Sequence, residues 1–272
     1  MRAVTIVVGD NLPLLRDLPD GLAQMVYADP PFNTGRTQTR RTLATVGASE
    51  NGDRTGFGGR RYATTLLAES SYRDEFDDYL GFLAPRLEEL KRVLHPTGTL
   101  YLHLDYREAH YVKLLLDELF GRGCFLNELI WAYDYGAKPR RRWPQKHDTI
   151  LVYVKDPDAY FFDAEAVDRE PYMAPGLVTP EQAARGKRPV SVMWHTIVSP
   201  TGREKTGYPT QKPEGLLKRF VQASSREGDL CLDPFAGSGT LGAVARKLGR
   251  RYLLIDESPE AGRVMRERLG HA

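Results

Sequence analysis

Two clusters of residues in this chain could do chemistry. The first is Asp29-Pro30-Pro31-Phe32. An exocyclic amine on a flat heterocycle is a poor nucleophile, because its lone pair is delocalised into the ring. Acceptors that bond the amine hydrogens draw the nitrogen toward tetrahedral geometry and free that lone pair. The Asp29 side chain and the Pro30 carbonyl suit this task, and Pro30 and Pro31 stiffen the turn so that both acceptors are preset. Such a site works by preorganisation rather than as a general base, since deprotonating a neutral amine before attack is far too costly. Phe32 offers an aromatic face for an unstacked base. Taken alone, the tetrapeptide is equally an ordinary loop with two prolines and a core Phe.

The second cluster is Asp233-Pro234-Phe235-Ala236-Gly237-Ser238-Gly239-Thr240. It follows an apolar run at 230–232 and precedes a helical pattern at 240–248. Glycines let a backbone approach a ligand closely, and the helix start offers unpaired N–H groups to the carboxylate of a bound amino acid. Asp256 ends the next strand, 251–255, where an acidic residue can accept bonds from ribose hydroxyls. A phosphate loop would need Gly-Lys-Ser/Thr, and Gly239-Thr240-Leu241 has no lysine; the spacing is not GxGxxG either. A tight turn without a ligand is the bland alternative, and the distant partner motif argues against it.

The elements that must position these clusters follow from the apolar pattern. Strands are expected at 3–8, 23–28, 99–104, 126–132, 148–154, 230–232 and 251–255. Helices are expected at 12–18, 76–93, 109–120, 215–225, 240–248 and 261–269. Alternating strands and helices argue for an α/β fold with a mainly parallel sheet and right-handed crossovers. Strand 23–28 delivers Asp29 to a carboxyl edge, where ligands gather in such sheets. Residues 33–70 read as a flexible basic loop, and 156–206, rich in proline with weak periodicity, as an irregular insertion into a single domain spanning 1–272.

The 272 residues carry a net charge of only +2, but the charge is unevenly placed. Between 33 and 61 there are six Arg, including Arg36, Arg40 and Arg41, against Glu50 and Asp53. Lys138, Arg140, Arg141, Arg142, Lys146 and Lys155 face only Asp148. Basic loops beside the acidic stretch 62–90 suggest one side turned to a polyanion, although any single run reads more simply as a solvated loop. Cys124 and Cys231 make neither a disulfide framework nor a zinc spacing, and no metal is expected. No apolar stretch approaches a membrane span and the start lacks a signal-peptide pattern, which fits a reducing cytoplasm. His103 and His147 read as structural. For each of Trp131, Tyr133, Trp143 and Trp194, core packing is the simpler reading than stacking on bases.

Taken in order, these stretches resemble the β-type DNA amino-methyltransferases. Val8-Gly9-Asp10-Asn11 through Tyr27-Ala28-Asp29-Pro30-Pro31-Phe32 is similar to that family's amino-terminal signature. Tyr208-Pro209-Thr210-Gln211-Lys212-Pro213 is similar to the segment before its cofactor loop. Leu232 to Thr240 is similar to that loop, and Arg251-Tyr252 through Asp256 to its ribose strand. The resemblance implies a class I, Rossmann-like, mainly parallel seven-stranded sheet with helices on both faces and the catalytic motif before the cofactor motif. It implies S-adenosylmethionine as methyl donor, with Asp10 and Asn11 at its adenine and Asp256 at its ribose. Thr210, Lys212, Phe235, Gly237 and the turn at Gly239 would surround its methionine part, with Asp233, Ala236, Ser238 and Thr240 completing the loop, and Asp29 could also touch its amino group.

The activity implied is methylation of a flipped base in double-stranded DNA, with N6 of adenine favoured because Asp in the first motif position is the commoner adenine form. N4 of cytosine is the alternative. RNA and protein-glutamine methyltransferases place the cofactor loop first, and a non-catalytic DNA-binding module would not need both motifs intact. The insertion occupies the place of target recognition, Arg36, Arg40, Arg41, Lys138 and Arg140 to Arg142 are the candidate phosphate contacts, and a homodimer and a cognate restriction endonuclease are further candidate partners.

Overall fold

Residues 23–28 are buried along their whole length, as expected of a central strand covered on both faces. In the computed structural model the described residues are 4–34, 36–48, 54–55, 61–74, 76–136, 139–199 and 201–270. In chain order they form β1 (Val4–Val8), α1 (Asn11–Arg16), β2 (Ala23–Ala28), β3 (Arg36–Ala48), β4 (Arg54–Thr55), β5 (Arg61–Asp74), α2 (Tyr79–Val93) and β6 (Leu94–Leu104). Then come α3 (Ala109–Phe120), β7 (Phe125–Ala132), β8 (His147–Val154), α4 (Pro180–Arg185), β9 (Val192–Trp194), α5 (Glu214–Ser224), β10 (Leu230–Asp233), α6 (Thr240–Lys247), β11 (Arg251–Asp256) and α7 (Pro259–Leu269).

The chain divides into two compact units, Met1–Pro30 with Asp78–Ala272, and Pro31–Asp77. The larger unit holds an eight-stranded sheet in the order β1-β11-β10-β2-β6-β8-β7-β9. The first five strands are mutually parallel, whereas β8 runs antiparallel to both β6 and β7. The expected count was seven. The eighth is β9, a three-residue strand from the insertion that pairs parallel with β7. Because β2, β10 and β11 are parallel neighbours, their carboxyl ends share one edge and bring Asp29, Asp233 and Asp256 to it. The end of β7 and the start of β8 lie on that same edge.

Helices flank the sheet in two groups, α1 with α2 and α3, and α5 with α6 and α7. The second group fixes β2, the strand that ends at Asp29. Phe220 of α5 stacks on Tyr101 of β6 at 4.6 Å and on Tyr27 of β2 at 6.3 Å. Such aromatic pairs add about 0.5–1.5 kcal/mol each beyond their buried area.

The smaller unit departs from the sequence reading. Where 33–70 was expected to be a loop, β3 and β5 pair antiparallel from Arg36 opposite Asp74 to Ala48 opposite Arg61, with β4 beside β5. These residues lack an apolar–polar alternation but are rich in Thr, which suits a pleated backbone. Asp74 closes the base of this hairpin. Its carboxylate accepts the Asn33 N–H at 2.7 Å and the Thr34 hydroxyl, while the Asn33 side chain accepts the Phe76 N–H at 3.0 Å. The side chains of Arg36, Arg40 and Arg41, and all of Lys138, lie outside the described residues.

Candidate active site

β2 ends in Asp29, whose two carboxylate oxygens differ. Oδ2 is 2.9 Å from the ammonium of Lys212, itself buried. Oδ1 is buried and has no hydrogen-bond partner among the described residues. Pro30 is buried behind it, while Pro31 and Phe32 belong to the smaller unit. A buried acceptor left unsatisfied costs about 1–3 kcal/mol, so Oδ1 is poised for a donor from outside the fold.

Lys212 is aimed by a strained segment. Thr210 holds φ 58°, a left-handed conformation that a β-branched residue rarely adopts. Gln211 folds the segment on itself, its Nε2 donating to the Glu204 carbonyl at 2.7 Å and its Oε1 accepting the Thr206 N–H at 2.9 Å. The Lys212 carbonyl accepts the Thr240 hydroxyl at 3.0 Å, which ties this segment to the start of α6.

The turn between β10 and α6 is held from several sides. Asp256 is anchored through both oxygens, with acceptor capacity left on each: Oδ2 accepts the Gly237 N–H at 2.7 Å and Oδ1 the Ser258 N–H at 2.9 Å. Gly239 sits at φ 71°, and a Cβ there would lie 2.9 Å from the Met265 side chain, so only glycine fits. Arg268 of α7 donates to the Ser238 carbonyl at 3.1 Å and to the Thr240 hydroxyl at 3.0 Å, and pairs with Glu214. Ser238 and Thr240 share a further bond at 3.1 Å, and the Ala236 N–H donates to the Ile255 carbonyl at 2.9 Å.

Charge is concentrated here. Burial pushes the Asp233 carboxyl well above the usual range; Asp29 and Asp256 push it further, against the Phe235 N–H and Lys212. Burial also raises Asp256, opposed by its two amide donors. A buried edge rich in carboxylates suits a cationic ligand, and the start of α6, which has no side-chain cap, suits a carboxylate. S-adenosylmethionine carries a sulfonium, an ammonium and a carboxylate, so this donor set fits it.

Asp10 and Asn11 lie at the same edge. The Asn11 amide donates to the Pro234 carbonyl at 2.8 Å and its oxygen accepts Arg86 Nε at 2.7 Å. Arg86 also pairs with Asp10 at 3.0 Å and lies 3.9 Å over the Phe82 ring, which leans on Phe235. Neither Arg86 nor Arg268 carried a motif signal, since each works through partners distant in sequence.

Beneath the edge, a polar chain crosses the three strands β2, β6 and β8 and ends on Tyr133, just past β7. Tyr27 OH meets His103 Nδ1 at 2.7 Å, His103 Nε2 meets Asp148 at 3.0 Å, and Tyr133 OH donates to Asp148 at 2.9 Å. His103 is therefore bonded through both ring nitrogens, in line with its structural reading. Burial alone would raise the Asp148 carboxyl, but the His103 bond, the Lys212 charge and the Tyr133 bond outweigh it and hold it low.

The basic loop after β7 separates into two kinds of residue. Arg140, Arg141 and Arg142 are exposed, with Arg142 3.4 Å from the Tyr106 hydroxyl. Lys146 folds back on its own loop instead, donating to the Tyr135 and Gly136 carbonyls at 2.7 Å, and Lys155 caps the end of α2 through the carbonyls of Lys91, Arg92 and Leu94. Trp131 is core, as expected. Trp143 and Trp194 are not, being 92% and 62% exposed. No helix among the described residues is long and apolar enough to cross a membrane.

Fold and site together define a class I S-adenosylmethionine-dependent methyltransferase. Residues 23–267 match the family model for the N6/N4 DNA methylases, and the chain belongs to that family. It is 30% identical over 264 residues to the type II methyltransferase M.HpaI of Haemophilus parainfluenzae, covering 97% of this chain and 73% of that protein. It is 31% identical over 267 residues to the DNA adenine methyltransferase YhdJ of Escherichia coli (strain K12), covering 95% and 80%. The cytosine-N4-specific PvuII DNA methyltransferase shares the fold, with a TM-score of 0.68 over 97% of this chain and 85% of that one at 16% identity. So does M1.HpyAVI in complex with SAM, with a TM-score of 0.62 over 98% of both chains at 21% identity. The chain is a DNA amino-methyltransferase acting on N6 of adenine or N4 of cytosine.

Proposed function

We propose that this enzyme methylates N6 of adenine in double-stranded DNA, with the target base turned out of the helix. The observation that carries the reading is the divided carboxylate of Asp29, one oxygen held by Lys212 and the other buried and open. S-adenosylmethionine supplies the electrophilic methyl group. Asp29 Oδ1 and the Pro30 carbonyl would accept the amine hydrogens and orient the nitrogen lone pair toward it; the N–C bond would form as the C–S bond breaks, S-adenosylhomocysteine would leave, and the methylated nitrogen would lose its extra proton to solvent. A stacked, paired amine cannot reach a buried oxygen, so the base must leave the stack, at about a few kcal/mol.

Asp in the first motif position and the likeness to a DNA adenine methyltransferase support adenine. Asp10 and Asn11 are assigned to the cofactor's adenine, Asp256 to its ribose, and Thr210 with the loop from Asp233 to Thr240 to its methionine part. Arg140 to Arg142 with the exposed Trp143 form the duplex-facing loop on the catalytic edge, and 156–206, which presents Trp194, is the target-recognition segment. The protein then works in the cytoplasm, where DNA is accessible.

Mass spectrometry of digested DNA, after expression in a methylation-free host, decides the base. N6-methyladenine is expected. N4-methylcytosine without N6-methyladenine overturns the choice of base and leaves the catalytic arrangement standing.

A further inference from the structure

Lys212 falls in the segment that the family resemblance assigns to the methionine part of the cofactor. Its ammonium does something else in this structure. It is buried, it lies 2.9 Å from Asp29 Oδ2, and its charge also reaches Asp148 and Asp233. One ammonium thus stands among three carboxylates carried by β2, β8 and β10. The main chain on either side fixes its position, through the left-handed Thr210 and the bond from the Thr240 hydroxyl to the Lys212 carbonyl.

We propose that Lys212 is a positioning residue for the methyl-transfer step: it holds the Asp29 carboxylate in one orientation, with Oδ1 turned to the target amine. The inference rests on the proposed role of Asp29. Without Lys212 the carboxylate can rotate, or can satisfy both oxygens elsewhere, and the amine then meets an acceptor that is not preset. With Oδ2 held by Lys212, Oδ1 is left as a preset, charge-assisted hydrogen-bond acceptor, which is the property that amine activation needs.

Single-turnover methyl transfer at saturating cofactor and DNA, measured beside the affinity for S-adenosylhomocysteine, tests this. Lys212→Met should slow transfer about tenfold to a hundredfold and leave the S-adenosylhomocysteine dissociation constant within about threefold. Lys212→Arg should recover most of the rate, because a guanidinium can hold the same oxygen. Lys212→Ala should regain rate with added ethylammonium, saturably, which a purely structural loss would not do. In an Asp29→Asn background, Lys212→Met should cost no further rate, because it acts through Asp29.

Loss of S-adenosylhomocysteine affinity by tenfold or more, with the saturated rate unchanged, would make Lys212 a cofactor ligand and overturn the proposal. So would an equal loss of rate from Lys212→Met in both backgrounds. If the Met variant does not fold, the Arg variant and the ethylammonium titration of Lys212→Ala still decide. Failure of the Asp29 reading is separable: Asp29→Asn would then keep the wild-type rate whatever Lys212 does.

Discussion

Asp29 and Asp256 end parallel strands at the same edge of one sheet, yet they are held in opposite ways. Both oxygens of Asp256 accept backbone N–H groups, from Gly237 and Ser258. Asp29 has one oxygen on Lys212 and one buried without a partner among the described residues. The first arrangement shapes the cofactor turn. The second leaves a polar atom that the described residues do not satisfy. A carboxylate with both oxygens anchored braces the turn and keeps its remaining lone pairs for a ligand; one anchored through a single oxygen presents the other.

The largest effect should separate these two roles. Asp29→Ala should lower methyl transfer by about a hundredfold or more; because it also leaves the buried Lys212 ammonium without this partner, some loss of melting temperature is expected, and the rate is read on folded protein below it. Turnover within about tenfold of wild type would end the catalytic assignment.

Asp256→Ala should act on the cofactor side. Two bonds to a carboxylate, each worth about 1.5–3 kcal/mol, are lost from the turn that carries Gly237. Weaker S-adenosylhomocysteine binding by about tenfold or more is expected in calorimetry, with DNA affinity unchanged. An unaltered dissociation constant would move the ribose contact elsewhere.

The loop of Arg140 to Arg142, proposed above to face the duplex, should show a smaller, sequence-independent effect. Replacing Arg140, Arg141 and Arg142 together by Ala should weaken binding to any duplex. It should also flatten the salt dependence, by about 0.9 in slope for each phosphate that is no longer neutralised. Lys146→Met should leave that slope unchanged, because its ammonium is spent on the Tyr135 and Gly136 carbonyls. Equal slopes for the triple variant and wild type would place the arginines away from DNA.

The smallest effect concerns Asp233, whose carboxyl burial raises. A raised folded value means that the folded state binds the proton more tightly than the unfolded chain does. Its contribution to stability is present below the unfolded value of about 3.9 and is lost as pH rises through the folded value. Asp233→Asn should therefore gain in melting temperature relative to wild type as pH rises across that window. A constant difference between the two melting curves would show that Asp233 does not titrate abnormally.

The strand ends that carry Asp29, Asp233 and Asp256 were legible because each apolar run stops at an acidic residue or a glycine-rich turn. What completes the site was not. Lys212 meets Asp29, and Arg268 meets Ser238 and Thr240, only through tertiary packing that no local spacing encodes. Charge misled in the same way: Lys146 and Lys155 sit in a basic run, but both ammonium groups are turned onto backbone carbonyls. The β3–β5 hairpin was missed because its sequence lacks the period of two on which strand recognition rests. Trp131 and Trp143 share a residue type and a neighbourhood in the chain, and only the pairing of β7 with β8 decides that one is core and the other is surface.

The most direct measurement sets Asp29→Asn beside Asp256→Asn, reading the single-turnover transfer rate at saturating cofactor and the S-adenosylhomocysteine dissociation constant for each. The account predicts a double dissociation: Asp29→Asn loses rate and keeps affinity, while Asp256→Asn loses affinity and keeps most of the saturated rate. If both variants lose rate and affinity together, the two carboxylates serve one function and the distinction between them is wrong.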